Sequence, residues 1–193
     1  MKRIPSGIQG LDKLISGGIP EKYTVLIGGG TGTGKTIFGL QFLCTQDDPG
    51  IFLSFEEELN QLRETSKSFG WNVDGGDKSR KIRFLRYDPF KLEDVFDILE
   101  QNIRELNARR VVMDSISTLG TYMHDIADLR RTILQIENLM KKNNCTLLLM
   151  SEINQPGALS RFGVEEFVCD GVITLEKKLV ENKYERIMSI HKM

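Results

Sequence analysis

Eight consecutive residues constrain this chain more than any others: Gly29-Gly30-Thr31-Gly32-Thr33-Gly34-Lys35-Thr36. The stretch fits G-x-x-x-x-G-K-[ST] at every fixed position. Glycines at this density let the main chain curl so that successive N–H groups point inward at one anion. A helix opening at Lys35 aims the positive end of its dipole at the same place. The Lys35 ammonium reaches the β- and γ-phosphates of a nucleotide, and the Thr36 hydroxyl is a hard oxygen ligand for Mg2+. With glycine near 7% of residues, the bare pattern arises by chance in roughly one chain of this length per hundred, so its context decides. That context is the required one: an apolar run at 23–28 predicts a strand before the loop, and 35–43 predicts a helix after it.

The rest of the chain repeats the strand–helix alternation. Apolar runs at 51–55, 82–87, 110–114 and 146–151 predict further buried strands. Between them, Leu92, Val95, Phe96, Leu99, Ile103 and Leu106 line one helix face, as do Ile126, Leu129, Ile133, Ile136 and Met140. Packing on a sheet is the simplest use of both stripes; a coiled-coil partner is the competing one, and it needs three or four sustained heptads. The end differs. Runs at 171–179 and 184–193 flank Glu181-Asn182-Lys183 with no helix between them, which predicts an antiparallel hairpin. The expected fold is α/β, with a mostly parallel central sheet flanked by helices and a C-terminal antiparallel hairpin. There is no internal repeat, low-complexity segment or linker, so residues 1–193 form a single domain. The cluster Lys78, Arg80, Lys81 and Arg83 is most simply a solvated loop and strand edge.

Two acidic elements fall where a phosphate loop needs them. Val111-Val112-Met113-Asp114 is an apolar strand ending in a carboxylate. In a parallel sheet that end shares a rim with the phosphate loop, where Asp114 can hold a Mg2+ water or the Thr36 hydroxyl. The strand at 51–55 ends in Glu56-Glu57-Glu58. Glu56 or Glu57 can orient and deprotonate a water attacking the γ-phosphate. Glu58 suits the first turn of a helix over 58–69, where the dipole favours negative charge. Ser151 and Glu152 end the next strand and are candidates for sensing the γ-phosphate, against ordinary strand-end polarity. His124 reads as a surface residue and the lone Trp71 as packing.

Composition removes several classes of function. Lys plus Arg total 26 and Asp plus Glu 27, a formal net charge of −1. That balance argues against a protein built chiefly around the nucleic-acid backbone. Cys44, Cys145 and Cys169 form no CxxC pair, and with only His124 and His191 beside them they suggest neither a disulfide framework nor a zinc site. The apolar runs fall short of the ~20 residues a membrane-spanning helix needs. Lys2 and Arg3 lead into Ile4-Pro5-Ser6-Gly7 rather than a signal core, so a cytoplasmic location is expected.

Taken together, these blocks resemble the KaiC-like branch of the RecA superfamily of ATPases. The likeness rests on Ser6-Gly7-Ile8-Gln9-Gly10-Leu11-Asp12 and the residues to Pro20, on the phosphate loop, on Ser54-Phe55-Glu56-Glu57, and on 160–173, which reads Ser-Arg-Phe-Gly-Val-Glu-Glu-Phe-Val-Cys-Asp-Gly-Val-Ile. Residues 110–117 resemble the family's metal-binding strand. The resemblance implies a RecA-like P-loop NTPase that uses ATP and Mg2+, with tandem carboxylates at Glu56 and Glu57. It also implies a homo-oligomeric ring, often hexameric, with ATP between subunits, and a regulatory role toward an unidentified protein partner. In such rings a Lys on the last strand reaches a neighbour's γ-phosphate, with an Arg two residues later. Lys192 fits the Lys; the sequence ends at Met193 before the Arg, so the expectation is that either the chain is trimmed there or it hydrolyses poorly.

Three other functions compete. A DNA-dependent recombination or repair ATPase needs a basic loop, and 154–162 offers Arg161 alone. An autokinase is disfavoured because 160–173 resembles the family's non-kinase type of domain. A non-hydrolysing nucleotide-binding scaffold stays open.

Overall fold

Every residue of the run 24–29 is buried, and so is every residue of 50–54 and of 146–151. Strands buried on both faces require helices on both faces. The computed structural model describes residues 2–73, 82–88 and 92–193, apart from the side chains of Leu92 and Glu93. In chain order its elements are β1 (Arg3–Ile4), α1 (Leu11–Leu14), β2 (Ile19–Pro20), β3 (Thr24–Gly29), α2 (Lys35–Cys44), β4 (Gly50–Ser54), α3 (Leu59–Ser68), β5 (Ile82–Arg86), α4 (Leu92–Leu106), β6 (Arg110–Asp114), α5 (Ile116–Thr121), α6 (Ile126–Lys142), β7 (Thr146–Glu152), α7 (Glu165–Val168), β8 (Gly171–Val180) and β9 (Lys183–Lys192). The principal sheet has the order β5-β4-β6-β7-β3-β8-β9, and β1 pairs with β2 in a separate small sheet.

All principal pairings are parallel except the last, β8 with β9. The hairpin turns on Glu181 and Asn182, both at positive φ (46° and 65°), as a two-residue turn that matches strand twist requires. Register sets the site. Ser54 pairs with Asp114, and Gly29 pairs with both Glu152 and Leu175. The carboxyl ends of β3, β4, β6 and β7 therefore share one rim, where ligands bind in open α/β sheets.

Alternation along the strands divides the core in two. Leu26, Ile51, Leu53, Val111, Met113, Leu147 and Leu149 face α4, α5 and α6. Val25, Ile27, Phe52, Val112, Leu148 and Met150 face α2 and α3. The helical stripes pack on the sheet as expected: Val95, Leu99 and Ile103 from α4, and Leu129, Ile133, Ile136 and Met140 from α6, are buried. Ile126 departs from its stripe at 53% exposed. It is the first residue of α6, directly after the capping Asp125, and lies ahead of the turns that reach the core. Trp71 packs on the core and stacks on Phe69 at 5.0 Å. Arg83 ties to Asn102 and Glu105 on α4, while Lys78, Arg80 and Lys81 lie outside the described residues.

One charged side chain anchors the N-terminal segment. Arg110, wholly buried, donates from Nε to Asp48 at 2.9 Å and from Nη1 to the carbonyls of Pro5 (2.8 Å) and Phe42 (3.3 Å), with its guanidinium 4.7 Å from the Phe42 ring centroid. Replacing Arg110 with Ala strips carbonyls of a donor and opens a cavity, and should cost about 2–4 kcal/mol in urea unfolding. Asp48→Asn keeps a hydrogen-bond acceptor but leaves the buried guanidinium without its counter-charge, and should cost less than Arg110→Ala. Equal losses would contradict this account of the anchor.

Candidate nucleotide site

Gly32 and Gly34 sit at φ 71° and 102°, the left-handed backbone that bends the loop between β3 and α2. The Thr33 hydroxyl donates to the Gly30 carbonyl at 2.9 Å and closes the curl. Lys35 Nζ donates to the carbonyls of Gly29 (2.8 Å) and Gly30 (3.1 Å), which places its charge at the start of the loop. Thr31 and Gly32 are exposed at the lip.

Next to this cradle, Thr36 Oγ1 donates to Asp114 Oδ2 at 2.8 Å and lies 3.3 Å from Glu57 Oε1. Glu57 is itself fixed by Ser54, whose Oγ accepts from the Glu57 N–H (2.9 Å) and donates to its carbonyl (3.1 Å). Burial pushes the Asp114 carboxyl up to about 6; the Thr36 bond and the Lys35 charge oppose the rise, and Glu57 and Glu56 add to it. Hard oxygens gathered around buried negative charge fit a divalent cation of the Mg2+ type. Among the described residues no three His, Cys, Asp or Glu side chains form a metal cage. Mg2+ needs none, because it binds one or two carboxylates and the substrate's phosphates.

The two neighbouring glutamates are treated differently. Glu56 is exposed, yet its Oε1 accepts from Thr118 Oγ1 on α5 at 2.8 Å. Glu58 precedes the first turn of α3, but its side chain makes no capping bond and instead pairs with Arg86. Glu58 thus stands at the N-cap of α3, where the dipole favours negative charge, and also forms an ion pair.

Ser151 has zero exposure. Its hydroxyl donates to Glu165 (3.1 Å), accepts the Arg161 N–H (3.1 Å) and lies 3.3 Å from Ser117 Oγ. That network holds the 160–165 loop on β7 and leaves Ser151 without an open path to a phosphate. Glu152 takes Arg161 Nη1, the sole cation of the 154–162 loop, at 3.1 Å. Lys192 Nζ donates to the Cys169 carbonyl at 2.7 Å. Lys192 pairs with Val172, which pairs with Leu26, three residues and about 10 Å below Gly29 along the strand. It does not contact its own cradle.

Sequence reasoning did not single out Thr118, Ser115 or the buried Glu165. The available signal was the hydroxyl run Ser115-Ile116-Ser117-Thr118 directly after Asp114. The cysteines form no disulfide; burial pushes Cys145 up to about 12 and Cys169 upward as well, which suits packing rather than reactivity.

Two cavities flank the loop. One of about 590 Å³ is lined by Gly30, Thr31, Thr33, residues 153–159 and His191, whose imidazole meets Thr174 Oγ1 at 2.8 Å. The other, of about 410 Å³, is mostly apolar and includes Gly34, Ile37, Phe38, Phe69 and Met188.

A strand–cradle–helix unit, with a strand-end carboxylate at its hydroxyl, in a mostly parallel sheet of this order, defines a RecA-like P-loop domain. A family model described as the KaiC ATPase matches residues 4–193, and the chain belongs to that family. A UPF0273 protein of Pyrococcus horikoshii is 34% identical over 213 residues, covering 100% of this chain and 85% of the relative. The circadian clock oscillator protein KaiC of Prochlorococcus marinus is 33% identical over 208 residues, and the match spans 41% of that longer protein. A solved KaiC-like protein of Pyrococcus horikoshii superposes with a TM-score of 0.89 at 36% identity, covering 100% of this chain and 88% of the other.

The Asp114 environment makes a stability prediction. An unfolded Asp titrates near ~3.9, so the folded chain binds this proton more tightly. The strain of the ionised carboxylate is full above its folded value of about 6 and fades as the pH falls toward ~4. Asp114→Asn should stabilise the nucleotide-free protein on the order of 1–2 kcal/mol at about pH 7 and hardly at all at about pH 4.5. Calorimetric melting at the two pH values checks this, and an equal gain at both would contradict it.

Proposed function

We propose that this chain binds Mg-ATP and hydrolyses it between subunits of a homo-oligomeric ring, slowly when isolated. The observation that carries the reading is the Thr36–Asp114 hydrogen bond at the mouth of the phosphate cradle. It places a hydroxyl and a carboxylate together where a metal on the β- and γ-phosphates would need them. The amides of residues 30–36 and Lys35 bind the phosphates. Thr36 and Asp114 would hold Mg2+, which would supply positive charge to the phosphates when bound. The mostly apolar 410 Å³ cavity beside Gly34 suits the nucleoside.

For hydrolysis, a water oxygen bonds to the γ-phosphorus as the bond from phosphorus to the bridging oxygen breaks. The electron pair leaves with the diphosphate, and the water proton passes to a glutamate. Glu57 leans on Thr36 and the metal side, whereas Glu56 stands clear of it. This favours Glu56 as the acceptor, with Glu57 supporting. Lys192, on the last strand, is assigned the cation that acts on a neighbour's nucleotide, which requires it to leave the Cys169 carbonyl. A cation supplied in trans is worth about 10³–10⁵ in rate in related phosphoryl transfers, so an isolated chain turns over slowly. Ser151 and Glu152 shape the β7 end through Glu165 and Arg161 rather than touching phosphate. A regulatory role for the cycle, in the cytoplasm, completes the proposal. Among the described residues no helix is long and apolar enough to cross a membrane.

Lys35→Ala should abolish Mg-ATP binding in titration calorimetry. Glu56→Gln with Glu57→Gln should leave binding intact and lower phosphate release at least about 100-fold. Retained affinity in the first variant would contradict the cradle. Unchanged turnover in the second would reject both acids, and binding without turnover in the unsubstituted oligomer would leave a scaffold.

A further inference from the structure

Glu56 poses a physical problem. A water-activating carboxylate must be held to within a fraction of an ångström, yet this side chain is exposed and has three rotatable bonds. We infer that Thr118 is the positioning residue for this carboxylate, an inference that rests on the hydrolase reading above.

Thr118 is 9% exposed and belongs to α5, the helix that begins directly after Asp114 and Ser115. Its Oγ1 lies 2.8 Å from Glu56 Oε1 and 2.9 Å from Ser115 Oγ. A hydroxyl carries one hydrogen, and an ionised carboxylate only accepts. Thr118 therefore donates to Glu56, and Ser115 donates to Thr118. The relay runs Ser115 to Thr118 to Glu56 in one direction, and each bond polarises the next. Ser115 also caps α5 by accepting the Thr118 N–H at 3.4 Å. The relay starts one residue past Asp114, so Glu56 is located by the same turn that locates the metal-binding carboxylate.

Geometry also divides labour within the glutamate. Oε1 carries the Thr118 bond, and Oε2 is assigned to receive the water proton. Glu57 has no such tether; its carboxylate meets Thr36, and its backbone meets Ser54. The Thr118 hydroxyl bonds to Ser115 and Glu56, so the role assigned to it is exerted through Glu56.

The test uses the full chain in its assembled form, with Mg-ATP as the probe. Phosphate release gives kcat and KM, calorimetry gives nucleotide affinity, and melting verifies folding. Thr118→Val should lower kcat about ten-fold, with KM and affinity within about two-fold, the signature of an interaction that matters in the transition state. Thr118→Ser, which restores the hydroxyl, should return kcat to within about three-fold of the unsubstituted rate. In a Glu56→Gln background, Thr118→Val should produce no further loss, because the group it acts through is already disabled. Thr118→Ala serves the same purpose should the valine variant not fold.

Unchanged kcat in the hydroxyl-free variants, losses that multiply with Glu56→Gln, or failure of serine to rescue would overturn the inference while leaving hydrolysis itself standing. Absence of phosphate release from unsubstituted, nucleotide-loaded oligomers would overturn the hydrolase reading, and the inference with it.

Discussion

The hydrogen bond from Thr36 to Asp114 joins two parts of the chain that are 78 residues apart. Much of the fold exists to make that contact possible. Thr36 is delivered by α2 as it leaves the phosphate loop, and Asp114 by the end of β6, with β7 between the parent strands β3 and β6. The parallel register of these strands brings their carboxyl ends to one level, so two short polar side chains can meet over an otherwise apolar sheet. The helix α2 crosses that gap, burying Phe38, Leu40, Phe42 and Leu43 against the core.

The same contact has a thermodynamic cost. Asp114 is desolvated, and two glutamates crowd it, so its ionised form is disfavoured in the nucleotide-free chain. On the reading proposed above, a bound cation would relieve that cost and loading would stabilise the rim. Other rim residues spread that rigidity outward. Ser54 fixes Glu57, α5 reaches Glu56 through Thr118, and Glu165 draws the 160–165 loop onto Ser151. The strand-end carboxylates and the 160–165 loop are thereby linked through side chains on α5 and β7.

What could be read in the sequence follows from the range of the interactions involved. Gly29 to Thr36 is legible because its chemistry is local: eight neighbours make one cradle. The strands of the principal sheet, and the helices at 35–43 and 58–69, match their observed limits to within one residue, because burial on both faces and a 3.6-residue period leave clear marks; the short β1, β2, α1, α5 and α7 leave none. Asp114 was legible as a strand-end acid once a phosphate loop was granted. The division between Glu56 and Glu57 was not legible. Adjacent residues carry the same letter, and what separates them is contact with Thr118 and Thr36, each far away in the chain. Ser151 looked like a free strand-end hydroxyl because nothing nearby shows that Glu165 returns to claim it. Ile126 kept the helical period but stood one turn too early to reach the core.

The central claim is that main-chain amides at the β3–α2 turn, with Lys35, capture a triphosphate whose metal is held by Thr36 and Asp114. A crystal structure of the chain with Mg2+ and a non-hydrolysable ATP analogue tests it most directly. The account predicts β- and γ-phosphate oxygens within hydrogen-bonding distance of the amides of residues 30–36, with the metal on the Thr36 hydroxyl and beside Asp114. Nucleotide bound elsewhere, with Lys35 still on the carbonyls of Gly29 and Gly30 and Thr36 still on Asp114, would contradict it.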